Sequence, residues 1–191
     1  MKLKMIMTMA AILMLGATGF AQNYTVNTDK SVLRWTGKKI GKSHVGRISL
    51  KEGTFSIKGE KITSGKFIID MKTIVNDDLT DPDMKAKLIG HLSSDDFFGV
   101  EQFPTATLIL KSGSQISKDE ATVTADLTIK GVTNPVTFTV KRMGDVFQSA
   151  VKFDRSKFNV RYGSGTFFGN LGDNAIEDEI TLDVTLVTSK K

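Results

Sequence analysis

The residues best equipped for chemistry gather in "GHLSSDDFFGVEQFP" (residues 90–104), where His91, Asp95 and Asp96 sit beside Phe97 and Phe98. Imidazole and carboxylate are the groups of metal ligation and proton transfer. The same residues also suit a helix terminus, where carboxylates are favoured by the dipole and by the free N–H groups of the first turn. In that arrangement Phe97 and Phe98 turn inward, and the segment is a lid over something apolar. The lid is the better supported reading. The chain has only 2 histidines, His44 and His91, and no cysteine, and the histidine spacing matches no ligand motif.

The remaining reactive strings are weaker. Asp77 and Asp78 read as a loop turn without the spaced oxygen donors of a calcium loop. Asp154 and Arg155 read as structural ion-pairing residues near a strand start, with a ligand head-group contact as the alternative. "YGSGTFFG" (residues 162–169) is glycine-rich, but no helix follows to complete a phosphate cradle, so a bulge or turn at a barrel rim is expected. No nucleophile, base and orienting group come together. We assign no catalytic residue, no metal and no cofactor, and read the chain as a non-enzyme.

The elements that would position these residues are strands. "TLDVTLV" (residues 181–187) sets Leu182, Val184 and Leu186 on one face, and "VTFTVK" (136–141), "TVTADLTIK" (122–130) and "KFIIDMK" (66–72) alternate in the same way. Period-two alternation marks antiparallel strands with one wet and one dry face. Turn residues separate about eight to ten such segments, which implies a sandwich or barrel. One segment is helical. Asp81 can cap, Pro82 suits the first position, and Met84, Leu88 and Leu92 recur four apart, giving a helical excursion around residues 82–98.

The first residues read as a cleaved leader: Lys2 and Lys4, an apolar run over residues 5–16, and small residues before a cut after Ala21. Residues 1–21 are thus a signal peptide, and 22–191 form one domain of 170 residues, ample for a core without disulfides. Losing the two lysines lowers the net charge from +5 to +3, too weak a balance to indicate nucleic acid. The basic residues cluster once, at Lys38, Lys39, Lys42 and Arg47, a solvated hairpin that could make transient contact with an anionic membrane surface.

With almost no helix to cover them, the dry faces are most simply enclosed in one closed barrel, either filled by side chains or holding one small ligand. Four blocks then resemble a known family: "LRWTGKKIGKSHVG" (33–46), "IIDMKTIVNDDLTDPDMKAKLIGHLSSDDFFGVEQFPTATL" (68–108), "ADLTIKGVTNPVTF" (125–138) and "VKFDRSKFNVRYGSG" (151–165). In order and content they resemble the YceI-like family of exported, polyisoprenoid-binding, lipocalin-like proteins. The resemblance implies an all-β fold, an eight-stranded antiparallel β-barrel around an apolar tunnel. It also implies a binding or carrier role for a long isoprenoid (quinone or polyprenyl) or similar amphiphilic lipid. It implies a periplasmic location, with secretion as the alternative, and allows a homodimer. The alternative function is a filled barrel acting as a stress or surface accessory.

The expected tunnel lining is Leu33, Trp35, Phe55, Phe67, Ile69, Met71, Leu108, Leu110, Leu127, Ile129, Phe138, Phe147, Val151, Phe153, Phe158 and Leu182. Leu88, Leu92, Phe97 and Phe98 are the expected lid, and the indole N–H of Trp35 could meet a ligand head group.

Overall fold

A computed structural model of the chain describes residues 21–190. The leader assignment falls outside the described residues. Eight strands follow in chain order: β1 (Gln22–Lys39), β2 (Lys42–Lys58), β3 (Lys61–Asn76), β4 (Thr105–Gly113), β5 (Glu120–Ile129), β6 (Val132–Met143), β7 (Val146–Asp154) and β8 (Glu179–Lys190). Each pairs antiparallel with its sequence neighbours, and β8 pairs back onto β1, so the sheet closes into an eight-stranded barrel. The alternation is the cause. Ala121, Val123, Ala125, Leu127 and Ile129 of β5 are buried while the residues between them are not.

Short turns set the register. Between Ile129 and Val132, Lys130 and Gly131 take φ of 50° and 75°, the backbone that a two-residue hairpin turn requires. The longest strands, β1 to β3, carry register shifts, for instance between Thr25 and Leu33, and such irregularities let a strand bend around a curved wall.

One helix, α1 (Pro82–Ser93), interrupts the sheet between β3 and β4. Asp81 caps it, its carboxylate accepting from the Met84 N–H at 2.9 Å, and Pro82 and Asp83 occupy the first turn. The helix is shorter than the expected span of 82–98. Ser94 leaves helical geometry with ψ 165°, and residues 95–98 form tight turns that close on the left-handed Gly99, whose N–H donates to the Ser94 carbonyl at 2.8 Å. Asp95 and Asp96 are exposed and cap no further helix. Met84 does not share the buried stripe of Leu92 and is 54 % exposed. Eight residues of helix rotate it about 80° away from Leu92.

Candidate ligand-binding site

The dry faces of the strands enclose a cavity of about 350 Å³, within the roughly 300–1,000 Å³ typical of small-molecule sites. The strand residues expected to line a tunnel all border it except Phe158. The chain leaves β7 at Asp154, whose carboxylate accepts from the Ser156 N–H at 2.9 Å and starts a single 3₁₀ turn, Arg155–Phe158. Phe158 is thereby directed away from the lumen, buried edge-on against Phe153 with ring centres 5.7 Å apart.

One end of the barrel holds an aromatic cluster. Tyr24 is 1 % exposed, stacks on Phe55 at 4.8 Å and meets Phe147 edge-on at 5.7 Å. Its hydroxyl donates to Gln22 at 2.9 Å and accepts from Arg142 at 3.4 Å, which satisfies the one polar atom of this floor. Val123 and Ala125 are fully buried without bordering the cavity, which their cross-strand partners Phe138 and Leu110 do border.

The other end is roofed by α1 and the turns after it. Leu88, Leu92, Phe97 and Phe98, the four expected lid residues, border the cavity. Phe97 and Phe98 contact edge-to-face at 5.0 Å, and their backbone is fixed by N–H donation from Phe97 to the Ser94 carbonyl and from Phe98 to the Leu92 carbonyl. Lys130 Nζ latches this roof to the β5–β6 hairpin by donating to the Asp95 carbonyl at 2.6 Å. Lys38 is exposed and still borders the cavity, so the space reaches the surface beside the β1–β2 hairpin.

Asp77, Asp78 and Arg155, singled out from the sequence, are engaged in structure. Asp77 receives the Arg47 guanidinium through Nε at 2.9 Å and Nη2 at 2.9 Å, with Arg34 at 3.6 Å. These donors hold the Asp77 carboxyl below the usual carboxylate range, Arg47 contributing most and partial burial opposing. For Asp78, burial pushes upward. It is outweighed by donation from the Val45 N–H, His44 and Asn76, and the net direction is again down. Arg47 is therefore committed to Asp77 and is not a free cation of the basic hairpin. Among the described residues no group of three or more histidines, cysteines and carboxylates could hold a metal ion.

Arg155 is fully buried. It pairs with Asp178 at 3.1 Å and donates to the carbonyls of Val160, Tyr162, Ile176 and Glu177. Burial lowers its pKa from the ordinary value, with Asp178 and Asp154 opposing. Its ion-pair partner is Asp178, far along the chain, and its five donors tie the 159–178 loop to the barrel. It makes no contact at the cavity, which removes the head-group role for this residue. The indole N–H of Trp35 donates to the Val75 carbonyl at 3.1 Å and is likewise unavailable to a head group.

Several lining residues were not among the expected set. Ile48 and Leu50 of β2, Ile62 and Ile74 of β3, Ala106, Val140, Ile180, Val184 and Leu186 all face the cavity. For Ala106, Val140, Ile180, Val184 and Leu186 the signal is the same alternation, whereas Ile62 and Ile74 are out of phase with Phe67, Ile69 and Met71 of β3, where the ladder shifts register. Ile48 and Leu50 are flanked by Arg47, Ser49 and Lys51, a charged setting that reads as surface.

The family model for the YceI-like domain matches residues 24–188. A UPF0312 protein of Shewanella denitrificans is 29 % identical over 140 residues, spanning 72 % of this chain and 71 % of that protein. The crystal structure of Burkholderia cenocepacia BcnA superposes with a TM-score of 0.68 at 24 % identity, covering 86 % of this chain and 99 % of that one. A polyisoprenoid binding domain from Saccharophagus degradans superposes with a TM-score of 0.58 at 16 % identity, covering 88 % and 98 %. Likeness at these structural identities shows the fold.

Proposed function

The chain belongs to the YceI-like domain family, and from that premise we propose that its cavity binds a long isoprenoid, or an amphiphile of similar shape, and carries it between apolar environments. The observation that carries this reading is the apolar cavity of about 350 Å³ under the Phe97–Phe98 roof. The fold shared with a domain described as polyisoprenoid binding supports it. The reading uses no catalytic residue and no cofactor beyond the bound lipid.

Energetics suit a carrier. Each methylene moved from water into the cavity gains about 0.8 kcal/mol, but a bilayer offers the same gain. Transfer between bilayer and barrel is therefore close to balanced in its apolar part. Polar contacts and fit decide the direction, and the lipid can be both collected and released. We read Lys38, Lys39 and Lys42 at the hairpin beside the opening as the contact with an anionic bilayer surface, and the leader as directing the protein to the periplasm.

Against the filled-barrel alternative stands the cavity itself, bordered by Phe55 and Phe147 at one end and by Phe97 and Phe98 at the other. The test is purification from the native source, organic extraction and mass spectrometry. A stoichiometric isoprenoid or related amphiphile supports the carrier. An empty protein that takes up nothing from polyprenol and quinone mixtures overturns it and moves attention to the surface.

A further inference from the structure

The cavity wall is apolar nearly throughout; of its polar neighbours at the α1 end Lys38 reaches solvent, and the others have partners, with one exception. Trp35 donates to the Val75 carbonyl, His44 Nδ1 pairs with Asp78 at 2.8 Å, and Lys39 Nζ reaches Asn174 at 3.3 Å. His91 borders the same cavity, and its Nε2 is buried without a hydrogen-bond partner among the described residues. The ring is held in place by Tyr162 at 4.2 Å and Phe97 at 5.6 Å, both edge-on. A buried, unpaired imidazole nitrogen is unfavourable, because it has lost water and gained nothing. Ligand sites in proteins are mostly apolar cavities with a few fixed polar groups that orient the ligand, and His91 has that place here.

We propose that His91 is the head-group contact of the cavity, meeting a hydroxyl or carbonyl oxygen of the ligand with Nε2 and orienting the hydrocarbon tail toward Tyr24. The inference rests on the lipid-binding reading above and adds to it the ligand's polarity and direction. Imidazole Nε2 donates or accepts according to its tautomer, so a hydroxyl can satisfy it in either state. The opposite end offers the tail mainly apolar faces, among them Phe55 and Phe147, with Gln148 and Ser149 as its polar neighbours. A purely hydrocarbon ligand would leave Nε2 unpaired and should bind less well.

The experiment compares a polyprenol with squalene, an isoprenoid hydrocarbon without oxygen. The chain has 1 tryptophan, Trp35, which borders the cavity and reports occupancy through its emission. The wild type should prefer the polyprenol, and His91→Phe should weaken polyprenol binding about tenfold while leaving squalene binding unchanged. His91→Gln, which keeps a hydrogen-bonding group, should retain part of the preference. Thermal unfolding of both variants checks that they fold. The ¹⁵N resonance of His91 Nε2 in the wild type should move with bound polyprenol and not with bound squalene. Equal losses for both ligands, or an unmoved Nε2 resonance in the polyprenol complex, would overturn the assignment while leaving the carrier reading intact. A wild-type protein that binds neither probe overturns both.

Discussion

Trp35 occupies the space that a side chain on Gly46, its partner across the β1–β2 ladder, would need. A Cβ at Gly46 would lie 2.5 Å from Trp35 Cζ2 and would collide with the Val75 carbonyl, the same carbonyl that accepts the indole N–H. The collision includes backbone and cannot be relieved by a rotamer change. Gly46→Ala is expected to lower stability by about 3 kcal/mol, the upper part of the range for overpacking, and to shift Trp35 emission. Urea unfolding followed by fluorescence measures both, and an unshifted midpoint would mean that β2 relaxes freely here.

Two alanines separate cavity from core. Ala106 borders the cavity, whereas Ala125 is fully buried and does not. Ala106→Phe should abolish uptake of a polyprenol with little loss of stability. Ala125→Phe should cost about 1–3 kcal/mol through overpacking. Paired denaturation and binding curves give the comparison, and equal destabilisation by the two variants would contradict the contrast drawn between the two positions.

The carboxylates of Asp77 and Asp78 make stability depend on pH. Both sit below their ordinary pKa in the folded state. Their contribution is therefore complete above the unfolded aspartate range, from about pH 5 upward, and is lost as pH falls through the lowered folded values. The Asp77→Asn, Asp78→Asn double variant should be less stable than the wild type at pH 7, and the two should converge near pH 2. Guanidinium titrations across that window check the sign, since a gap that widened in acid would require other groups.

Lys38, Lys39 and Lys42 stand at the β1–β2 hairpin beside the opening, while Arg47 is held by Asp77. Reversing the three lysines to glutamate should slow lipid transfer to anionic vesicles several-fold at low salt. The effect should disappear near 1 M salt, where the screening length is about 3 Å. Arg47→Glu should mainly destabilise the clasp with Asp77. Transfer rates that ignore the three lysines at low salt would remove the membrane contact from the proposal.

The barrel was legible because long stretches of strand have a single dry face; β5 alternates without exception, and β8 does so from Ile180 to Leu186, before the buried Thr188. The failures are specific. Phe158 follows Phe153 by five residues and is already out of phase with it as a strand position; the turn capped by Asp154 removes it from the wall. Met84 was placed by counting fours along a helix whose true period is 3.6. Ile48 and Leu50 were hidden by charged neighbours on the opposite face of β2. Arg155 could not be read as buried, because its acceptors at positions 160, 162, 176 and 177 are brought to it only by the folded loop. His91 was noticed for its chemistry, but its unpaired nitrogen is a property of its surroundings and has no signature in the chain.

Seven of the eight strand pairings join neighbours in sequence, and the eighth, running from Tyr24↔Lys190 to Thr36↔Thr181, joins the two ends of the described chain. The local hairpins close small loops and can form in succession, whereas this last ladder closes the longest loop and has the largest entropic cost. Before it forms, the cavity-facing side chains line an open trough, and no inside exists. The lumen comes into being with the final seam, so folding to completion and sealing of the compartment are one event.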